Sequence, residues 1–183
     1  MSKVASALGG ARFDGFASVR EIGPLGMITL RAKPDVPGLA AAVTAVTGTA
    51  LPAQRRIEVA GDKAAGWMSP DEYLLIVPYT EVKAALATLA EKLAGQHHLA
   101  VDVSDARAVF RIEGTQAAEV LMKLAPVDHA TLAPGELRRT RLAQVAGAFW
   151  ADETGYSLVC FRSVAGYVMG LLSHSATKGA ELF

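Results

Sequence analysis

The sequence predicts an α+β fold: a duplicated βαββα unit with mainly antiparallel sheets and helices on one face. One observation is a hairpin pattern that occurs twice, because Trp67 stands six residues before Tyr73 and Trp150 stands six residues before Tyr156, with a polar turn in each interval. A second observation is spacing, since the distance from the first strand of each half to its Trp is 39 residues in one half and 41 in the other. A repeated unit whose strands alternate with helices favours antiparallel sheets that helices cover on one side.

The composition is that of a globular protein with a sizeable core. Of the 183 residues, 51% are hydrophobic and 20% are charged, which suits one ordinary domain or two small halves that share a core. Eighteen basic residues balance 18 acidic ones. Because a neutral chain has no broad electrostatic basis for binding nucleic acid or an anionic membrane, we expect neither partner.

The sequence shows no recognisable signal peptide or membrane-spanning segment. We find neither the apolar region of a signal peptide nor an apolar run of about 20 residues. We therefore expect a soluble, cytoplasmic protein.

The N-terminal residues, Met1 to about Gly23, mix Gly, Ala, Ser and charged residues without a helical or strand period. They predict an N-terminal arm, residues 1–23, which is loosely structured and either stays so or wraps a partner. Residues 24–183 are predicted as a single domain made of two pseudo-repeats, about 24–98 and 99–176.

The elements of the first pseudo-repeat follow from its apolar periodicity and its cap and turn residues. In order, we predict a strand at 25–31, a helix with an Asp35 cap that Gly48 ends, a strand at 55–59, the hairpin about Ser69-Pro70-Asp71-Glu72, and a helix with a Thr80 cap that Gly95 ends.

The second pseudo-repeat predicts the same order after a linking strand. In order, we predict strands at 99–103 and 108–113, a helix opened by Gly114-Thr115 and stopped by Pro126, a turn at Pro134-Gly135, a hairpin of strands 141–150 and 156–161, and a helix with a Ser163 cap that runs through Leu172.

Carboxylates in the two hairpin turns are the first candidates for chemistry. Asp71-Glu72 and Asp152-Glu153 occupy equivalent places in the repeat. One hypothesis makes a member of these pairs a general base or an amine-binding carboxylate. The simpler interpretation, which we favour, is that Asp hydrogen-bonds the backbone of its own turn and that a solvated turn tolerates Glu.

A third acidic segment surrounds Ser104, where Asp102 and Asp105 flank the end of a strand. Here too a turn that hydrogen-bonds its own backbone, with Asp105 and Arg107 as a surface ion pair, is the simpler account.

The remaining candidates lack the neighbours that their chemistry needs. A metal site would require a third converging ligand beside His97-His98, and the sequence supplies none nearby; His129 and His174 are isolated. Cys160 cannot form an internal disulfide and has no adjacent histidine, so it is expected to be a small buried hydrophobic residue on a strand. Neither the Gly9-Gly10 pair nor Gly23-Pro-Leu-Gly26 matches a phosphate-binding loop.

Two short basic runs stand at strand starts, Arg55-Arg56 and the group Arg138, Arg139 and Arg141. No aromatic residues are interleaved with them, which disfavours a nucleic-acid surface, and an anionic patch of a partner protein is a reasonable use. We identify no catalytic, cofactor-binding or metal-ligating residue from the sequence.

Several segments together resemble the gamma-subunit family of heterotetrameric sarcosine oxidase. Trp67-Met-Ser-Pro-Asp-Glu-Tyr-Leu-Leu75 resembles that family's Trp-Leu-Gly-Pro-Asp-Glu-Trp-Leu-Leu signature. The segment Asp102-Val-Ser-Asp-Ala-Arg-Ala-Val-Phe-Arg-Ile-Glu-Gly114, followed by Ala117-Ala-Glu-Val-Leu121, is similar to the same family and to the wider folate-binding group around the glycine-cleavage T-protein. Further similar segments bring the coverage to about residues 25–175: Arg139-Thr-Arg-Leu-Ala-Gln-Val-Ala146 and Gly166-Tyr-Val-Met-Gly-Leu171.

The resemblance implies a fold like the T-protein/TrmE-type folate-binding domain and the role of a non-catalytic gamma subunit. In that family a four-chain oxidase demethylates sarcosine with oxygen and water, and yields glycine, hydrogen peroxide and a one-carbon unit that is released as formaldehyde or passed to tetrahydrofolate. The implied cofactors lie in other subunits: NAD and the folate site in alpha, FAD in beta, FMN between alpha and beta, and zinc in delta. The implied partners are the alpha subunit first, with beta and delta in the same complex.

The sequence departs from the folate enzymes at the places that matter for their chemistry. T-protein enzymes carry an Asp-Asp pair at the second hairpin and an Asn-Ala-Ser stretch after the next strand, where this chain has Asp152-Glu153 and Phe161-Arg162-Ser163. The Lys-Gly-Cys-Tyr motif of iron–sulfur-assembly relatives does not surround Cys160. Folate binding is therefore in doubt, and a stand-alone folate-binding protein or aminomethyltransferase of the T-protein type remains the alternative.

Overall fold

The computed structural model describes residues 4–183, which form eleven strands and four α-helices. The strands are β1 (Arg12–Asp14), β2 (Ser18–Ile22), β3 (Gly26–Arg31), β4 (Ile57–Ala60), β5 (Lys63–Ser69), β6 (Glu72–Val77), β7 (Leu99–Asp102), β8 (Arg107–Glu113), β9 (Leu137–Leu142), β10 (Val145–Asp152) and β11 (Gly155–Phe161). The helices are α1 (Leu39–Thr47), α2 (Val82–Lys92), α3 (Ala117–Met122) and α4 (Ala165–Ser175).

The chain divides into two compact units. Leu25–Ser104 form the central unit, and the residues up to Pro24 together with Asp105–Phe183 form the terminal unit. The terminal unit therefore brings together the two ends of the chain.

The central unit is a five-stranded antiparallel sheet in the order β4-β5-β6-β3-β7. Helices α1 and α2 pack on one face of it, where Leu30 and Leu75 of the sheet join Val43 and Leu89 of the helices in one buried cluster. Each of these four side chains is 0% exposed, so the apolar stripe of each helix is what attaches it to the sheet.

The terminal unit contains a six-stranded sheet in the order β1-β2-β8-β11-β10-β9, whose five neighbouring strand pairs are all antiparallel. Its core has the same design: Phe110 and Leu158 of the sheet pack with Val120 of α3 and Val168 of α4. The α+β prediction with mainly antiparallel sheets and one-sided helices is confirmed.

The duplication is visible in the strand order. The run β4-β5-β6-β3 in one sheet corresponds to β9-β10-β11-β8 in the other. Along the chain, one helix follows the first strand of each run, β3 or β8, and another helix follows the last, β6 or β11. Each unit is thus β-α-β-β-β-α, and the predicted label βαββα counts one strand too few because the hairpin contributes two strands beside β4 or β9.

Both predicted Trp–Tyr hairpins exist, but their registers differ. Trp67 pairs with Tyr73 across β5 and β6, with a β-bulge before the turn. Across β10 and β11, Trp150 pairs with Ser157 and not with Tyr156. Because neighbouring residues in a strand face opposite sides, the equal spacing in the sequence does not place the two Trp–Tyr pairs equivalently.

The loosely structured arm predicted for residues 1–23 is wrong for the part that forms β1 and β2; residues 1–3 of it lie outside the described residues. β2 pairs with β8 along its whole length, and its Val19 is 0% exposed in the core of the terminal unit. The signal was present as alternation, since Val19 and Glu21 are buried and their neighbours are less so, but a five-residue strand is too short to stand out from a Gly-rich and Ala-rich surrounding.

The predicted boundary between the pseudo-repeats at residues 98 and 99 is also displaced, because β7 pairs with β3 and belongs to the central unit. In the terminal unit the strand that pairs with β8, in the position that β7 holds beside β3, is β2. A sheet edge accepts a strand from either chain direction, so the two units fill it from opposite ends of their sequence.

Smaller differences concern caps and one turn. Gly48 ends α1 in the left-handed conformation, as predicted, whereas the helices near Asp35, Thr80 and Ser163 have no side-chain cap hydrogen bond. The strand predicted at 141–150 is two strands, β9 and β10, which a tight turn separates at Ala143 with φ 49°.

Candidate functional site

The carboxylate of the second hairpin is held by a buried arginine. Arg111 lies on β8 and is 6% exposed. Its Nη2 donates to Asp152 Oδ1 at 2.5 Å and to Thr154 Oγ1 at 2.5 Å, and its Nη1 donates to Ser157 Oγ at 3.1 Å. Its Nε reaches Glu113 Oε1 at 3.3 Å. The guanidinium thus joins the strand β8 to the turn and the second strand of the hairpin.

These contacts determine the protonation of Asp152. Burial acts to raise the pKa of this carboxyl, but hydrogen bonds from Arg111 and from the backbone and side chain of Thr154 outweigh it and hold the pKa below its ordinary value. A general base that works near neutral pH needs a pKa raised toward that pH. The geometry therefore favours the structural role of Asp152 over the acid–base hypothesis.

The first hairpin has an equivalent arginine–aspartate ion pair, which is exposed to solvent. Arg31 Nη2, on β3, donates to Asp71 Oδ2 at 2.7 Å, and Ser69 Oγ donates to Asp71 Oδ1 at 3.1 Å. The hydrogen bond from Arg31 is the main reason that the pKa of Asp71 is lowered. Both turn aspartates are thus ion-paired to an arginine on the first strand of their own β-α-β-β-β-α repeat, β8 or β3, a relationship that the sequence interpretation missed.

The acidic segment around Ser104 is a turn that bonds to itself, as the simpler interpretation has it. Ser104 N and Oγ both donate to Asp102 Oδ1, at 2.9 and 2.6 Å. Ser104 Oγ in turn accepts a hydrogen bond of 2.9 Å from Met27 N on β3. Ser104 is 5% exposed, so the turn anchors the end of β7 to the start of β3.

The four histidines differ in their surroundings. His97 and His98 line an open cleft in the central unit, and His98 Nδ1 lies 3.0 Å from the Gln96 carbonyl oxygen. His174 is exposed on α4. Within residues 4–183, no group of three or more His, Cys, Asp or Glu side chains is placed to hold a metal ion.

His129 is the exception, because it is buried in an aromatic cluster of the terminal unit. Its ring stacks on Phe149, with centroids 5.4 Å apart and planes 3° apart, and meets the edge of Tyr156 at 6.0 Å. Neither ring nitrogen has a hydrogen-bond partner in the described residues. Burial lowers the pKa of His129 against the opposing effect of Asp128, so the ring is held neutral.

Cys160 is placed as the sequence predicted. It is 1% exposed on β11, and burial raises the pKa of its thiol to about 11. A thiol in this state is a poor nucleophile at neutral pH.

The two basic runs belong to different units. Arg138 on β9 is partly buried and pairs with Glu136 at 2.9 Å, whereas Arg139 and Arg141 are exposed on the same edge strand. Arg55 lies in the central unit with φ 62°.

In the part of the chain that the structure describes, no helix is long and apolar enough to cross a membrane.

Comparison with known proteins points to one family. The model of the "Sarcosine oxidase, gamma subunit family" matches residues 31–178. Sarcosine oxidase subunit gamma of Corynebacterium sp. (strain U-96) is 39% identical over 130 residues, which are 68% of this chain and 62% of that protein. Sarcosine oxidase subunit gamma of Arthrobacter sp is 34% identical over 152 residues, which are 80% of this chain and 73% of that protein. The alignment thus spans less than two thirds of the length of the Corynebacterium relative.

Solved structures agree with this match. A chain of the heterotetrameric sarcosine oxidase from Corynebacterium sp. U-96 in complex with pyrrole 2-carboxylate superposes with a TM-score of 0.80 at 28% identity, covering 90% of this chain and 87% of that one. The glycine cleavage system aminomethyltransferase T from Bartonella henselae superposes with a TM-score of 0.62 at 12% identity, covering 86% of this chain and 46% of that one. The second likeness shows the fold alone, and it is the T-protein fold that the sequence resemblance implied.

Proposed function

Because this chain belongs to the sarcosine oxidase gamma subunit family, we propose that it is the non-catalytic gamma subunit of a heterotetrameric sarcosine oxidase. The observation that carries the proposal is the family match over residues 31–178. The proposed complex demethylates sarcosine oxidatively to glycine, with hydrogen peroxide and either formaldehyde or methylenetetrahydrofolate as further products. Its FAD, FMN, NAD, tetrahydrofolate and zinc would lie in other subunits, and the complex would work in the cytoplasm.

The side chains described above support a structural role. The turn aspartates are engaged by Arg111 and Arg31, Cys160 is buried with a raised pKa, and His129 is enclosed by aromatic rings. The two turn aspartates, Cys160 and His129 are therefore each engaged or enclosed by their own unit. A protein of this kind contributes surface and rigidity to an assembly, and we propose the alpha subunit as the partner that it contacts.

The alternative is a stand-alone folate-binding protein or aminomethyltransferase, because the fold is shared with an aminomethyltransferase. Asp152 stands where the folate enzymes carry the first residue of their Asp-Asp pair. In this chain its Oδ1 already accepts from Arg111 and from the backbone N and Oγ1 of Thr154. The pairing counts against a free carboxylate for a pterin or an amine at this turn.

Two measurements separate the hypotheses. Co-expression with the alpha and beta chains of the same oxidase, followed by size-exclusion chromatography, should yield a complex that contains this chain in a stoichiometric amount. A chain that always elutes apart from alpha and beta would remove the main support for the proposal. Titration of the isolated chain with a reduced folate, followed through the fluorescence of Trp67 and Trp150, should give no saturable change; tight binding would favour the alternative.

A further inference from the structure

Strand β7 is one of the two edge strands of the central sheet. In the order β4-β5-β6-β3-β7 it pairs with β3 alone among the described strands. Val103 N donates to Met27 O, and in an antiparallel ladder the residues that bond to the neighbour alternate with residues that do not. The backbone N–H and C=O groups of Ala100 and Asp102 are therefore directed away from β3, toward the open edge.

Two apolar side chains accompany this edge. Leu99 is 55% exposed and Val101 is 40% exposed, and both lie on the face opposite Ala100, which packs against the helices. Exposed edge strands are usually blunted by charged side chains or Pro because their free backbone groups attract other strands. Leu99 and Val101 are uncharged and branched, which suits a covered strand. The one acidic residue of β7, Asp102, lies at the end of the strand, where its carboxylate accepts hydrogen bonds from Ser104 N and Oγ.

The edge is continuous with a cleft of positive charge. The cleft measures about 360 Å³ and is lined by Arg31, Ala32, Lys33, Asp71, His97, His98 and Leu99. Arg31 and Lys33 bring two positive charges against the one negative charge of Asp71, so the Arg, Lys and Asp side chains of the lining sum to a formal charge of +1. Leu99 belongs both to the edge and to the cleft, so the two form one surface.

We propose that β7 and this cleft form the docking surface for an extended segment of the alpha subunit that carries at least one carboxylate. The proposal rests on the proposed function. The segment would add alongside β7 through the backbone groups of Ala100 and Asp102, cover Leu99 and Val101 with apolar side chains, and place its carboxylate in the cleft. Charge complementarity selects an acidic segment. The carboxylate of Asp71 is already paired with Arg31, so the Lys33 ammonium is the cation of the cleft that a carboxylate of the partner would meet.

The test compares edge variants with a matched control in the full complex. The double variant L99E/V101E places charges on β7, and K33E reverses a charge in the cleft. The control is V59E, because Val59 is 63% exposed on β4 at the opposite edge of the same sheet. All substituted positions are exposed, so melting curves and circular dichroism of each variant should match those of the wild-type chain.

Binding is measured against the purified alpha–beta complex of the same oxidase. We expect L99E/V101E and K33E each to weaken binding by about tenfold or more, and V59E to change it less than about twofold. Equal binding by wild type and L99E/V101E would overturn the surface while leaving the proposed function standing. Loss of binding in V59E as large as in the β7 variants would overturn it as well. A wild-type chain that does not bind alpha–beta at all would overturn both.

Hydrogen exchange supplies an independent readout and distinguishes the occupant. The amides of Ala100 and Asp102 should become protected on assembly with alpha–beta, because a strand added to β7 accepts their hydrogen bonds. Unchanged exchange at both amides would contradict strand addition. If the isolated chain dimerises, and the β7 variants abolish the dimer but leave alpha–beta binding intact, the occupant is a second copy of this chain and the assignment to alpha is wrong.

Discussion

Arg111 Nη2 donates a 2.5 Å hydrogen bond to Asp152 Oδ1, and so ties the central β8 strand of the terminal sheet to the turn that follows β10. The central unit repeats the relationship with Arg31 and Asp71 at 2.7 Å. The two pairs differ in burial, since the side chain of Arg111 is 8% exposed and that of Arg31 is 49% exposed. The same ion pair should therefore differ in its contribution to stability.

Replacement of Arg111 by Ala should lower the free energy of unfolding by about 3 kcal/mol, because Ser157 loses a buried partner and Asp152 loses its cation, whereas Glu113 keeps its ion pair with Arg20. The matched control is Arg31→Ala, whose exposed pair with Asp71 should contribute much less to the free energy of unfolding because solvent screens it. Urea unfolding of both variants measures the difference. Equal losses would show that burial of the guanidinium does not set the strength of these pairs.

Replacement of His129 by Phe should make the stability of the chain less sensitive to acid. Burial lowers the pKa of His129 in the folded state, so below about pH 6.5 the unfolded chain binds a proton that the folded chain does not, and stability falls as the pH falls. Phe keeps the stacking on Phe149 and removes two buried nitrogens without partners, so the variant should also gain about 1 kcal/mol. Unfolding curves between about pH 8 and pH 5 test this. A variant with the same pH profile as the wild-type chain would contradict the burial of His129 in the aromatic cluster.

Removal of residues 2–10 should destabilise the chain by about 2 kcal/mol, because Ser6, Leu8 and Gly10 donate hydrogen bonds to a buried carboxylate. Glu21 is 5% exposed and accepts hydrogen bonds from Ser6 Oγ, Leu8 N and Gly10 N, each at 2.9 Å. Arg162 holds the same segment through the Ala5 and Ser6 carbonyl oxygens at 3.1 Å.

A double-mutant cycle isolates this contact. If Glu21→Ala and the truncation act through the same hydrogen bonds, their combined effect on the free energy of unfolding should be smaller than the sum of the two. Additive effects would mean that Glu21 and the N-terminal segment stabilise the fold independently.

Cys160 should resist alkylation while the chain is folded. Its thiol is 1% exposed and its pKa is raised to about 11, so little thiolate forms near neutral pH and a reagent cannot reach it. Incubation with iodoacetamide at about pH 7.5 followed by mass spectrometry should show modification only after denaturant is added. Rapid labelling of the native chain would contradict the buried position on β11.

Two glycines should respond to Ala in opposite directions. Gly170 lies inside α4 with open space around the added methyl group, so Gly170→Ala should raise the free energy of unfolding by about 1 kcal/mol through helix propensity. Gly155 begins β11 with φ +150°, and a Cβ there would lie 2.1 Å from the Ile112 carbonyl oxygen, so Gly155→Ala should lower the melting temperature. A neutral Gly155→Ala would mean that the hairpin turn relaxes without cost.

The hairpins illustrate how far local pattern carries. Turn residues at Ser69-Pro70-Asp71-Glu72 and at Asp152-Glu153, next to apolar segments, predicted both hairpins, and both are present as β5–β6 and β10–β11. The registers were not predictable, because a β-bulge in β5 places Trp67 directly opposite Tyr73. A bulge changes which residues face each other without changing the spacing in the sequence.

The sheet edges illustrate where local pattern stops. β2 and β7 are five and four residues long, and each is a strand because a longer neighbour, β8 or β3, offers it a ladder of hydrogen bonds. The sequence interpretation treated the first as an arm and assigned the second to the wrong half. A short strand depends on its partner for stability, so its own residues carry too little signal.

The sequence by itself determined the α+β class, the duplication, and the resemblance to the gamma-subunit family, because these follow from periodicity, turn residues and contiguous motifs. Only the tertiary structure decided that Arg111 holds Asp152, that Glu21 anchors the N-terminal segment, and that β7 presents an apolar edge beside a positive cleft. These features join residues far apart in the chain, 41 positions for Arg111 and Asp152, and their contact depends on strand register and sheet order. Register is a property of the assembled sheet, set by burial and pairing together.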